Sequence, residues 1–493
     1  MMRKSDCHSS RRGKVTVLLV LLLPAVFGTL ALVVDGSRLM SDSGQIQHIA
    51  DAAAVAAAAS LSRGDSVAIA TQRAITTVQV DNGLSSASVT VHIPPQTGVY
   101  AGQDKFAEVT VNRIIPMSFL RAVNGESQQS VSATAVAGLN DATAGAAIVV
   151  LDPDPPAIDL PPVLGLTLPT MPSHHLGGLE VLGVGAVKVD GAVLVNTDWG
   201  GVDEDGSPAG WSLVERNAVT CTPLVSLSKL RSRDLRVVGG VDNPNNYTHF
   251  ISGEPSPLRA NAKPVPDPLI SVPVPTVAAD PTNVSSTLRG GVTVVGIPLI
   301  GLPTVLSPGV YEYIQIVSGR VTLNPGVYII RGSHPVTKIP LQIIGGEVTG
   351  NGVMFYITNS AAYSPTSGLP DSGDGSTTPA ATGLGTVLPS AVINIGLLGS
   401  NLTAIGGSSP YAGLLIFQRR ADRRILVIAR DALLSDSVFN GTVYAKWGDT
   451  VFAGMGTVQA RFVVGSLRFA NLLDCTIAPT SLLPPAQDVF LVQ

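Results

Sequence analysis

The densest group of side chains capable of chemistry in this sequence is Asp203-Glu204-Asp205-Gly206. Clustered carboxylates can act as an acid and base pair in glycoside hydrolysis, or hold calcium through oxygen ligands. A calcium loop spaces its ligands at alternate positions, whereas these three are consecutive, so a solvated turn fits better. A second group, Arg419, Arg420, Arg423 and Arg424 in QRRADRRILVIA, has the charge to hold an anionic glycan or a partner protein. Its plainer reading is the polar tip of a hairpin that caps apolar strands. His174 and His175 are adjacent, with no third ligand at a recognisable spacing, which argues for solvation over metal binding. Trp199, Trp211 and Trp447 each offer a ring that could stack on a sugar, although such rings more often fill a core or a turn. No Ser-His-Asp, CxxC, HExxH or phosphate-loop pattern occurs. The residues therefore predict no enzyme, no cofactor and no metal centre.

The composition says what must position these groups. The chain has 493 residues, room for two or three domains. Only 13% of them are charged, against about 25% in an average globular protein. Gly (51) and Pro (36) are frequent and aromatics make up 5%, which predicts many short strands separated by turns. The net charge of −4 and the lack of a basic patch beyond the N-terminal tail exclude a nucleic-acid partner. Cys7 falls in that tail. Cys221 and Cys475 fall in the region expected to be exported, where a disulfide between them would persist; two buried free thiols are the alternative.

From Val15 to Val34 no residue is charged, and at about 1.5 Å per residue this run spans about 30 Å, the thickness of a bilayer core. Val15, Leu19, Leu23, Pro24, Gly28 and Val34 mark the expected membrane anchor, residues 15–34. A secretory signal has a shorter apolar core of about 7–15 residues. Thr29-Leu30-Ala31 would suit a signal peptidase, and cleavage there is the competing fate. Gly13 before Lys14 is similar to a prepilin processing site, but Leu18 stands where the expected glutamate would be. Arg3, Lys4, Arg11, Arg12 and Lys14 keep residues 1–14 in the cytoplasm and export the rest. The expectation is a single pass through the cytoplasmic (inner) membrane.

Residues 35–142 read as a small α+β unit led by a long helix. Asp35 and Arg38 mark the exit from the membrane. Ile46, Ile49, Ala50, Ala53, Ala54, Ala57, Ala58 and Leu61 recur at helical spacing. Small side chains at Ala50, Ala53 and Ala57, with Leu61, would let another helix approach closely; packing on the helix's own domain is the plainer reading. SSASVTVHIP, FAEVTVNRIIP and QSVSATAVAG read as strands, and PMSFLRAV as a short helix. The order RRGK, apolar span, DGSRL, QIQHIADAAAVAAAASL, EVTVNRIIPMSFLRAV and SVSATAVAG resembles the N-terminal region of TadG-like proteins, over about residues 11–140. These belong to bacterial tight-adherence (Flp pilus) assembly systems. The resemblance implies an envelope protein that accompanies pilus assembly or surface attachment, with pilus-assembly or other envelope proteins as partners and no catalytic residue to transfer. Some relatives continue into a von Willebrand A-type domain with an Asp-x-Ser-x-Ser metal loop. Here AAIVVLD runs into Asp152-Pro153-Asp154-Pro155-Pro156, which lacks both serines and rejects that site.

Residues 143–176 read as a proline-rich linker and residues 177–493 as a β-rich domain. Inserts of low complexity fall near 254–283, with eight prolines, and near 361–390, read as a mobile surface loop. LSPGVYEYIQIVSGRVT followed by LNPGVYIIRG places two Pro-Gly-Val-Tyr units, from Pro308 and Pro325, 17 residues apart. Short strands with corner residues and no helices between them predict a right-handed parallel β-helix, with a β-sandwich as the alternative. GVYIIRG and NGTVYAKWGDTVFAG are similar to segments in some TadG-like and other surface proteins. The function expected is structural or adhesive. The alternative is an anchored β-helix that binds or cleaves carbohydrate, with surface glycans as ligands.

Overall fold

The computed structural model describes residues 12–62, 65–117, 125, 127–141, 144–156, 177–210, 216–223, 228–297, 302–379, 388–395, 399–430, 437–471 and 473–492. The chain forms two compact units, one from Met1–Ala142 with Gln487–Gln493 and the other from Thr143–Ala486.

The first unit is led by helix α1, Arg12–Ser62, which continues through Pro24 without interruption. Helix α2, Val67–Thr76, follows; the Ser66 hydroxyl at its start accepts the Ile69 amide. Three strands, β1 (Ser88–His92), β2 (Phe106–Pro116) and β3 (Gln128–Asp141), pair antiparallel in that order. The fourth place, beside β3, is taken by the chain's last strand, Gln487–Val492, with Gln487 opposite Asp141. In sequence, the whole second unit is thus an insertion between two antiparallel neighbours.

Alanine dominates the core of this unit. Ala50, Ala53, Ala54, Ala57 and Ala58 of α1 cluster with Ala107, Ala133, Ala135 and Ala137 of the sheet, all buried. The small-residue stripe therefore packs on its own domain, where missing side-chain volume brings the helix axis close to the sheet. Leu61, at the end of the stripe, is half-buried. An added isobutyl group has no space there. Ala54→Leu should cost about 1–3 kcal/mol of overpacking, read as a lower urea midpoint at unchanged slope. An unchanged midpoint would show that this helix does not pack closely.

The second unit is a parallel, three-sided solenoid, which excludes the antiparallel β-sandwich. On the first face a single register column runs Val310, Ile329, Tyr356, Phe417, Tyr444, Val463, Val149, Leu194, Arg236 and Arg259. On the second, Ile316, Ile343, Ile393, Ile428, Phe452, Phe469, Val181 and Cys221 stack in the same way. The third face carries Asn351, Thr403, Asn440 and Gln459 in register, and further along the stack Thr457, Thr476, Lys188 and Arg231.

The order of coils is not the order of sequence. Coils wind from Leu288 to Ile477, and the next coil in the stack begins at Ala146 and continues to Arg259. The unit is therefore permuted, and its two ends meet in mid-stack. There the Ala146 amide donates to the Leu483 carbonyl at 3.0 Å and the Leu483 amide to the Ala146 carbonyl at 2.8 Å. Residues 260–287 connect Arg259 at one end of the stack to Leu288 at the other. The proline-rich stretch near 254–283 is mostly this strap, and proline suits a segment that joins no ladder.

Three expected boundaries change accordingly. Ala146–Val150 is a fully buried strand of the solenoid and so does not belong to a linker, while residues 157–176 lie outside the described ones. Gln487–Val492 belongs to the first unit. The stretch near 361–390 is pinned where it is described: Trp447 Nε1 donates to the Gly375 carbonyl at 2.8 Å, and Lys446 Nζ to the Asp374 carbonyl at 3.1 Å.

Burial explains the strand sequences. Strands of the first face such as Gly326–Ile330 and Leu414–Gln418 are buried at every position, because the solenoid core covers one side and the strap crosses the other. They read as continuous apolar runs. On the third face Val187–Val189 and Leu230–Ser232 alternate between buried and half-buried, and Arg320–Leu323 between half-buried and buried. Its outer side is open to water. The Pro-Gly-Val-Tyr repeat places a corner: the Tyr311 hydroxyl donates to the Ser307 carbonyl and that of Tyr328 to the Asn324 carbonyl, each four residues back. Gly309 and Gly326, at φ of 153° and 130°, make the approach that a side chain would obstruct.

Candidate functional site

The first half of α1 differs from the rest of the molecule. Leu18, Leu19, Val20, Leu21, Leu22 and Leu23 are all exposed, Leu21 by 73%. Six consecutive residues pass all round a helix of 3.6 residues per turn, so this is an apolar cylinder with no polar face. Pro24, Val26, Val33 and Val34 extend it, and Gly28 is half-buried; the side chain of Val15 lies outside the described ones. Among the described residues no helix is long and apolar enough to cross a membrane. The side chains of residues 15–17, 25, 27 and 30–32, within the apolar run, lie outside the description. Asp35 is buried where the apolar run ends, and Arg38 lies 3.9 Å from Asp42, which also approaches Arg113 of β2. The helix thus passes from an exposed apolar run, through a mostly exposed polar stretch at residues 36–45, to a packed and alanine-rich half from Ile46.

The other candidate residues divide into surface turns and buried supports. Asp203 accepts the amides of Asp205 and Ser207, and Glu204 accepts that of Ala260, so the acidic run forms an exposed turn. Among the described residues no group of three or more metal-binding side chains is assembled. His174, His175 and Trp211 lie outside the described residues. Trp199 is buried with its Nε1 donating to Asp154 at 2.9 Å, and Trp447 is buried on Gly375, so neither ring is open to a sugar.

The arginine cluster is not a hairpin tip. Arg419 pairs with Asp371 at 2.8 Å, Arg423 with Asp152, and Arg424 with Asp422 at 2.7 Å. Arg420 donates to the carbonyls of Leu269, Ile270 and Val272 in the strap and to the Tyr444 hydroxyl. Burial raises the Asp371 carboxyl above its ordinary range, against the opposing effect of hydrogen bonds from Thr358 and Tyr356 and the nearby Arg419 charge. These charges hold loops and strap to the solenoid and are consumed in doing so.

Cys221 and Cys475 are both buried and free. They lie on different faces, with the coil that carries Val181 and Val187 between them, a rise of about 8 Å along the stack and beyond the Cα separation of about 7 Å that a disulfide tolerates. Burial pushes the Cys475 thiol up to about 12 and the Cys221 thiol higher still, so both are unreactive.

Sequence reasoning missed one feature that only the stack creates. Glu180 and Arg468, 288 positions apart, are fully buried and pair at 2.8 Å where the coil ending at Asn471 meets the coil beginning at Ala146. Lys188–Asp474, at 2.8 Å, straddles the same seam. A lone charge in an otherwise apolar strand, as in GLEVLG and GSLRFAN, is the signal that was there to read.

No curated protein and no solved structure matches the chain. The putative Flp pilus-assembly TadE/G-like family matches residues 13–60, a narrower stretch than the 11–140 over which the sequence resembles TadG-like proteins. That match covers nearly all of α1, the exposed apolar half and the packed half together, and on it the N-terminal segment of this chain is TadE/G-like.

Proposed function

We infer that this is a single-pass protein of the cytoplasmic membrane whose exported part serves Flp pilus assembly as a structural component, without catalysis. The observation that carries the reading is the coincidence of the TadE/G-like match at residues 13–60 with a helix apolar on all sides in its first half and packed into a domain in its second. An all-round apolar helix of this kind is stable when lipid or protein surrounds it. The uncharged run Val15–Val34 has the length of a bilayer core, and the preceding arginines and lysines favour a cytoplasmic N-terminus. Continuity of α1 also argues for retention of the span, because cleavage at Ala31 would cut the helix. In this reading the solenoid, with the right-handed crossovers that parallel strands almost always take, is an exported platform for contacts with other envelope proteins. An adhesive role belongs to the same reading.

The test is extraction of cell membranes at alkaline pH. The intact protein should stay in the membrane fraction, and protease added outside the membrane should reach residues 143–486 but not the N-terminal tail. Replacing Leu21 and Leu22 by Arg should release it, at about 2.5–3.5 kcal/mol per charge near the span centre. Recovery of intact protein in the alkaline wash would overturn the anchor. Unchanged pilus number after deletion of the gene would overturn the pilus role.

A further inference from the structure

The open third face of the solenoid carries a cleft of about 260 Å³, whose lining includes Thr403, Asn440, Gln459, Arg461, Thr480 and Ser481. Its floor is Arg461. The guanidinium donates from Nε to the Thr442 hydroxyl at 2.8 Å, from Nη1 to the Ser481 hydroxyl at 3.0 Å, and from Nη2 to the Gly413 carbonyl at 3.4 Å. All three partners are uncharged, and among the described residues none that lines the cleft is acidic. An arginine carries five N–H donors, so the positive charge at the floor is fixed in place but neither neutralised nor fully used. Partial burial also holds its pKa below the ordinary arginine range.

The walls define the rest of the ligand. Asn351, Thr403, Asn440 and Gln459 stand in register on successive coils, about 4.8 Å apart, and lead along the face into the cleft. Amide and hydroxyl side chains present donors and acceptors together. A row of such groups suits a chain of sugar hydroxyls, which also donate and accept. A phosphodiester and the carboxylates of a polyglutamate strand accept only, and the strand's single backbone N–H per residue offers fewer donors than the several hydroxyls of each sugar. The site thus asks for one negative charge on a polyhydroxylated chain.

We propose that this cleft and the ladder beside it bind an acidic polysaccharide, with a uronate carboxylate on Arg461 and neighbouring sugar hydroxyls on Asn440, Gln459 and Thr403. The ligand lies along the stack, one coil after another, so affinity grows with chain length. The proposal rests on neither the membrane anchor nor the pilus role, and none of these residues lies in the TadE/G-like stretch 13–60.

The experiment titrates the full chain in detergent with a galacturonate hexasaccharide, a neutral glucose hexasaccharide and a hexaglutamate peptide. The uronate hexamer should bind, more weakly as salt rises, and the neutral hexamer at least about tenfold more weakly. Arg461→Gln should weaken uronate binding by about tenfold or more, while Arg289→Gln, on the first coil, leaves it unchanged. Gln459→Ala changes an exposed side chain and should lower affinity several-fold with the fold intact, so it carries the test if Arg461→Gln does not fold. Equal binding of the neutral hexamer, equal or tighter binding of hexaglutamate, or no uronate binding at about 1 mM would each overturn the proposal. So would an unchanged affinity in both cleft variants.

Discussion

Arg468→Ala should destabilise the solenoid unit by about 3–5 kcal/mol, and Glu180→Ala by a similar amount. The reason is desolvation. Both side chains are 0% exposed, and Arg468 reaches Glu180 through Nε at 2.8 Å and through Nη2 at 3.3 Å. The Glu180 carboxylate also accepts the Gly177 amide at 3.1 Å. Removing one partner leaves the other charged inside an apolar stack, where its penalty is no longer offset. The pair as a whole is a different matter, because two well-packed apolar side chains of similar volume avoid both penalties. Glu180→Leu with Arg468→Met should therefore return to within about 1–2 kcal/mol of the parent, or exceed it. Urea denaturation of the four proteins gives the cycle, and the single losses should far exceed the double. Single variants that lose less than about 1 kcal/mol would show the pair to be hydrated and would remove it from the core.

The place of this pair gives it a second consequence. Many other neighbouring strands of the stack follow one another in sequence through a short corner, as Ile316 to Arg320 and Leu323 to Gly326 do, and the corner helps to fix register there. The boundary between Leu467–Asn471 and Leu179–Gly183 joins segments nearly 300 positions apart. A slip of one residue would turn every side chain to the other side of the sheet. In such a slip Arg468 would face no acid, so the ion pair selects one register. The apolar double variant should retain stability and lose selectivity, read as faster amide exchange in Leu179–Gly183 than in the parent at equal global stability.

How much of this was legible beforehand depended on the range of the interaction. α1 follows from a helical repeat of alanines after an uncharged run, both local in sequence, and its continuity through Pro24 needs no distant partner. The strands follow equally from short runs, continuous and apolar on the first face and alternating on the third, between corner glycines, and the parallel solenoid from their shortness. The permutation did not follow, because nothing local in Ala146 or Ile477 records that they belong to adjacent coils. The proline-rich stretch looks like an insert in sequence for the same reason: its partners, Asn196, Arg420 and Tyr411, are 69 to 151 positions away. The four arginines were read as a surface because charge predicts water, whereas here each guanidinium meets a fixed carboxylate or carbonyl. The arginine of the cleft drew no notice because it is a single charge in a strand, and its meaning comes from the residues in register around it.

The second large effect is expected at Arg420. Replacing it by alanine should cost the solenoid unit about 3–5 kcal/mol and release the strap before the stack unfolds. Arg420 is buried, its guanidinium 5.3 Å from the Phe417 ring centre and 5.5 Å from that of Tyr444. From Nη2 it donates to three strap carbonyls within four residues, at 3.0 Å to Leu269, 3.2 Å to Ile270 and 2.6 Å to Val272. Its Nε donates to the Tyr444 hydroxyl, which in turn donates to Asp267 of the strap at 2.7 Å. The strap is not a strand and those carbonyls join no ladder; the Leu269 carbonyl also accepts the Val272 amide at 3.1 Å, so loss of the guanidinium removes the bonds that tie this turn to the stack. Lysine should restore little: an ammonium keeps the charge but cannot lie flat between the rings while it spans three carbonyls. Limited proteolysis separates strap release from global unfolding. Cleavage between residues 260 and 287 should rise at least about tenfold in Arg420→Ala at urea concentrations where the amide signal of the strands is unchanged. Equal rates of strap cleavage in parent and variant would show that the strap is held by its other contacts, at Asn196, Tyr411 and Ser409. The strap is the only covalent route from Arg259 to Leu288, so its release leaves both ends of the stack folded but frees them to fray. Loss of Arg420 should therefore unfold the coils at Leu258–Arg259 and Leu288–Val294 first, and those at the seam last.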